Sequence, residues 1–65
     1  MIRQYDIFEL SKDLNPVIKQ GMQGVILEIL DRNTFLVEFV NEDGTNKEFE
    51  GDAIFIINST YLKER

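Results

Sequence analysis

Sixty-five residues, 43% hydrophobic and 29% charged, make one small domain of globular rather than disordered composition. Seven Lys and Arg against twelve Asp and Glu leave a net charge of −5, which disfavours nucleic acid and anionic membrane as partners. Cysteine and histidine are both absent, so disulfides, thiol nucleophiles and imidazole bases are excluded.

In chain order, Tyr5 to Leu10 is rich in aromatic and branched side chains and predicts a first strand. A long loop, Ser11 to Gln20, follows. It contains Asn15-Pro16, a turn signal that includes the single proline, and Ser11 to Leu14 suits at most one helical turn. Gly21-Met22-Gln23-Gly24 leads into a second strand, Val25 to Leu30. Asp31-Arg32-Asn33 turns the chain into a third, Thr34 to Val40, and Glu42-Asp43-Gly44 into a fourth, near Asn46 to Glu50. Both connections suit three-residue hairpin loops ending in a left-handed residue, with Asn33 and Gly44 at that position. Gly51-Asp52-Ala53 predicts a tight turn and Ile54 to Asn58 a last strand, apolar on both faces. The tail from Ser59 to Arg65 fits either a frayed end or a helical turn capped by Asn58 or Ser59.

These loop lengths imply a register. Ile29 faces Phe35, Leu27 faces Val37, Val37 faces Phe49 and Phe39 faces Lys47. Val25, Leu27, Ile29, Phe35, Val37, Phe39 and Phe49 then form the core face.

Five short strands, a long first loop and a glycine pair before strand two resemble a small five-stranded SH3-like barrel, all-β, with a short C-terminal tail. Lys19-Gln20-Gly21-Met22-Gln23-Gly24-Val25 resembles the opening of KOW-type barrels. Tyr5-Asp6-Ile7, then Gly21-x-x-Gly24-Val25 with Glu28, then Leu36-Val37-Glu38-Phe39-Val40 with Asp43-Gly44, is similar to a bacterial family of short barrels, the domain of unknown function DUF4926. The similarity runs from about residue 4 to 57. It implies architecture and a bacterial cytoplasmic origin, and brings no catalytic or binding residue. Ile54 to Ile57 and the tail exceed the family pattern.

Chemistry-bearing motifs are sparse. Gly21 and Gly24 lack the G-x-x-x-x-G-K-[ST] frame of a phosphate loop and read as a turn and a close backbone approach. The expected register sets Glu38 opposite Glu48, with Glu28 diagonal and Glu50 nearby. Paired carboxylates can chelate a hard cation or tune a pKa, yet a solvated face or an acidic docking stripe explains them as well. Ile26, Leu36 and Val40 are expected to share that outward face, together with Leu30. Apolar residues flanked by carboxylates have the anatomy of a protein interface unless the tail covers them through Tyr61 and Leu62.

The sequence therefore predicts a single domain over residues 1–65 that is a non-enzymatic protein-interaction module without cofactor or metal. Its contact residues would be Glu28, Glu38, Glu48, Glu50, Ile26, Leu36 and Val40, and its partner a basic protein. An immunity- or antitoxin-like inhibitor is the specific form. The rivals are a KOW-like nucleic-acid-binding barrel and a self-associating subunit paired through its terminal strand. No apolar run approaches the length of about 20 residues that spans a bilayer. Met1 to Asp6 lacks the apolar core of a secretory signal, so no membrane contact and a cytoplasmic location are expected.

Overall fold

A computed structural model describes residues 2–63 of the chain. It is all-β apart from one turn of 3₁₀ helix. Strands β1 (Ile7–Glu9), β2 (Gln23–Asp31), β3 (Thr34–Phe39) and β4 (Ile54–Asn58) form one antiparallel sheet in the order β1-β2-β3-β4. Ser59–Tyr61 forms the 3₁₀ turn. Asn58 caps it through a side-chain oxygen that accepts from the Thr60 amide at 3.0 Å.

Beyond this turn the chain returns to the free side of β1. Leu62 bridges Leu10, the Ser11 amide donates to the Tyr61 carbonyl at 2.8 Å, and the Lys63 amide donates to the Glu9 carbonyl at 2.9 Å. The first strand begins at Ile7 rather than Tyr5, because Tyr5 takes a left-handed backbone (φ 68°) that breaks an extended run.

The sheet has four strands rather than the five expected, because Asn46 to Glu50 does not form one. Asn46 does bridge Val40, and Lys47 donates to the Phe39 carbonyl, so the expected register opens correctly. Gly44 holds the expected left-handed position (φ 89°). The chain then leaves β3. Glu50 and Gly51, both at positive φ, turn Phe49 back onto Asp52. Asn46 to Glu50 offers a single apolar side chain, whereas Ile54 to Ile57 offers four. The richer segment takes the place beside β3, and Phe55 rather than Phe49 faces Val37.

A second correction concerns β2. Ile29 pairs with Phe35 as expected but stays 43% exposed rather than joining the core, and Ile26, not Leu27, faces Val37, because Leu27 is an extra residue in β2; Leu30 is a second one, nearer the turn. The bulge at Leu27 reverses the parity of the strand's first half. Ile26 enters the core at 0% exposure while Val25 and Leu27 turn sideways or outward. The second bulge shortens the β2–β3 turn to Arg32-Asn33, with the Asp31 side chain accepting from the Asn33 amide at 2.8 Å; Asn33 is not left-handed.

The core is Phe8, Leu10, Ile18, Ile26, Phe35, Val37, Phe39 and Ile57, with Leu14, Phe55, Tyr61 and Leu62 packed around it. Phe39 is central: its ring meets Phe8 edge-on at 5.6 Å and Phe55 at 5.9 Å. The long first loop forms no helical turn but is anchored. Ile18 is buried, and Asn15 accepts from the Val17 and Ile18 amides at 2.9 Å each.

Candidate functional site

The side of the sheet opposite the core carries the candidate surface. Residues directly opposite in an antiparallel pair project to the same face, so the registers link Ile7, Val25, Glu38 and Ile54 into one row crossing all four strands. In the next row Leu36 lies between Glu28 and Ile56. Ile7, Ile54 and Ile56 are 61%, 51% and 64% exposed, and Val40, near the end of β3, is also exposed. A shallow depression of about 340 Å³ adjoins this face, lined by Ile7, Val25, Val40, Asn41 and Glu42 among others.

Of the residues expected here, Glu28, Glu38, Leu36 and Val40 lie on or beside this face. Ile26 does not: the Leu27 bulge sends it into the core. Glu48 and Glu50 are also elsewhere. They sit in the excursion between Lys47 and Ile54, and Glu38 faces Val25 and Ile54 rather than Glu48. The Glu38 carboxylate instead accepts from the Asn46 side-chain amide at 3.1 Å. Tyr61 and Leu62 do not cover the face; they pack against the core cluster beside Leu10. Ile7, Ile54 and Ile56 join the surface unannounced by any pairing argument. The doubly apolar run Ile54 to Ile57 is the one signal that points to two of them.

Electrostatically the face is one-sided. Glu28 and Glu38 make no ion pair among the described residues. Most described cations are held by neighbours: Lys63 by Glu9 (2.9 Å), Lys19 by Asp13 (3.5 Å), Lys47 by the Asn41 side chain (2.6 Å), and Lys12 over the Tyr61 ring (4.4 Å). The aspartates with displaced pKa values belong to loops. Asp13 is lowered by the Gln20 amide with help from Lys19, Asp31 by the Asn33 amide and Thr34, and Asp43 by the hydroxyl and amide of Thr45. They fasten turns. Among the described residues no three carboxylates gather as metal ligands, and no helix is long and apolar enough to cross a membrane.

The glycine pair is structural. Gly21 turns at φ 90°, and Gly24 lies against the Phe8 ring and the Glu38 carbonyl, where a Cβ would come within 2.6 Å and 2.8 Å. The same segment falls within residues 4–50, which match the family described as Domain of unknown function (DUF4926). The chain belongs to this family. The match stops at residue 50, before β4, and so falls short of the reach to residue 57 expected from the sequence. No curated protein and no solved structure matches the chain.

Proposed function

We propose that this DUF4926 chain is a non-enzymatic protein-interaction module of the bacterial cytoplasm that docks a basic protein on its outer sheet face. The observation that carries the reading is the row Ile7–Val25–Glu38–Ile54 with Ile56 beside it: exposed isoleucines next to Glu28 and Glu38, which make no ion pair among the described residues. A folded monomer of this size gains nothing by presenting that combination to water. A partner with an apolar centre and a cationic rim would bury the isoleucines and neutralise Glu28 and Glu38. An inhibitor of the immunity or antitoxin kind, lying in the basic cleft of a nuclease, fits the same chemistry.

An SH3-like closure belongs to this reading. It is supported by the 3₁₀ turn after β4 and by the Leu10–Leu62 bridge, which bring the tail back along β1. With that edge tied to the tail, the outer face is the broad apolar surface left for a partner.

The test is affinity capture from the native host with three baits: the wild-type chain, Glu28→Lys/Glu38→Lys, and Ile7→Ser/Ile54→Ser. A basic protein held by the wild type, released by salt and lost from both variants is expected. A protein held equally by all three baits, or capture of RNA or DNA alone, would overturn the assignment.

A further inference from the structure

We propose that two copies of this chain pair antiparallel through β4, joining their sheets into one of eight strands. The pairing starts from the edge rather than the face and does not depend on the docking partner above.

Among the described residues β4 has a strand neighbour on one side only. The ladder fixes which of its backbone groups are free. Asn41 donates to the Thr45 carbonyl and Lys47 to the Phe39 carbonyl, so odd-numbered residues of β3 present their N–H and C=O toward the β4 side. Phe35 and Val37 therefore exchange hydrogen bonds with Ile57 and Phe55. Ile54, Ile56 and Asn58 must aim their backbone groups the other way. The Ser59 amide, bonded to the Asn33 carbonyl at 2.9 Å, agrees with this parity. Among the described residues no loop or turn donates to, or accepts from, the backbone of Ile54 or Ile56.

Edge strands normally carry a guard such as proline, lysine or a bulge. Ile54–Asn58 carries none, and both bulges lie in β2. The strand is also complementary to itself. A twofold axis at Ile56 sets Ile56 against its own copy and Ile54 against Asn58, so that free donors on each edge meet free acceptors on the other.

The ends of β4 differ in charge: one adjoins an acidic excursion, and the other adjoins Arg32, whose neighbour Asp31 is occupied by the Asn33 amide at 2.8 Å. The preceding excursion carries Glu48, Glu50 and Asp52, all exposed. The following residue, Ser59, is bonded to Asn33, next to Arg32, which makes no ion pair among the described residues. Antiparallel pairing lays the acidic end of each copy beside the Arg32 end of the other. That complementarity opposes the repulsion between two chains of charge −5 and favours a second copy over an unrelated strand.

Sedimentation velocity of the full chain over a hundredfold concentration range tests this. The wild type should approach twice its 7.6 kDa mass. Ile56→Pro removes a donor that points away from β3 and should give a monomer, whereas Ile56→Thr keeps the donor and should still dimerise. If the proline variant fails to fold, Ile56→Lys sets two ammonium groups face to face across the axis and should also be monomeric. Arg32→Glu should raise the dimer dissociation constant about fivefold, the combined loss of two exposed ion pairs. A wild type that stays monomeric throughout overturns the proposal, as does a dimer that survives Ile56→Pro or Ile56→Lys, or one indifferent to Arg32→Glu.

Discussion

Replacing Gly24 by alanine adds one methyl group at the tightest point of the sheet. The new Cβ would lie 2.6 Å from Phe8 Cζ, 2.7 Å from Cε1 and 2.8 Å from the Glu38 carbonyl oxygen, where real contacts begin above about 3 Å. Neither neighbour can give way cheaply. Glu38 is paired with Val25 and Ile54 on its two sides, and the Phe8 ring is buried edge-on against Phe39. Overpacking of this kind costs about 1–3 kcal/mol. Gly24 does not sit at positive φ, so alanine recovers about 0.4–1 kcal/mol by restricting the unfolded chain. The net loss is about 1–2 kcal/mol, which for a domain of this size lowers the melting midpoint by about 10 °C. Thermal unfolding by circular dichroism measures it directly. Phe8→Leu in the same chain should recover part of the loss, giving a favourable coupling energy in a double-mutant cycle. An unchanged or higher midpoint for Gly24→Ala would refute the register of β1 on β2, and with it the row that begins at Ile7.

Acid should weaken the fold through its turns. Asp13, Asp31 and Asp43 are held below the ordinary aspartate value of 3.8, so near that pH the unfolded chain binds more protons than the folded one. Their contribution is complete above about pH 5 and is lost as pH falls from about 4 through the lower folded values. Denaturant titrations at stepped pH should show this slope, shallower in Asp43→Asn; a stability independent of pH below 4 would contradict it. Phe39→Ala should cost about 3–5 kcal/mol, enough to unfold much of a chain this small, whereas Ile7→Ala on the outer face should stay within about 0.5 kcal/mol. Urea denaturation of the two variants separates core from surface, and equal losses would place Ile7 in the interior.

Much of the fold is legible because alternation survives in β3. Phe35, Val37 and Phe39 face inward as the period of two requires, and Gly44 and Asn58 perform the turn and cap that their residue types suit. What alternation cannot supply is a bulge. The consecutive apolar residues Val25-Ile26-Leu27 satisfy either parity, and the choice is made by Gly24 accepting Phe8 and by Ile26 meeting Val37. The competition between Phe49 and Phe55 for the place opposite Val37 is likewise open to local reading. It is decided by the turn at Glu50-Gly51, where a non-glycine residue adopts positive φ. The acidic half of the surface is readable at Glu28 and Glu38. The isoleucine half is only partly so: the doubly apolar run points to Ile54 and Ile56, whose place depends on which strand lies beside β3, and nothing in the sequence pattern marks Ile7.

The claim that the outer face docks a partner is tested most directly by titration calorimetry of the captured protein against the wild type and Ile7→Ser/Ile54→Ser. Two central apolar contacts at about 1.4 kcal/mol each predict an affinity about a hundredfold weaker for the variant, with its melting midpoint unchanged. Equal affinity for the two chains would contradict the account and move the contact away from the sheet.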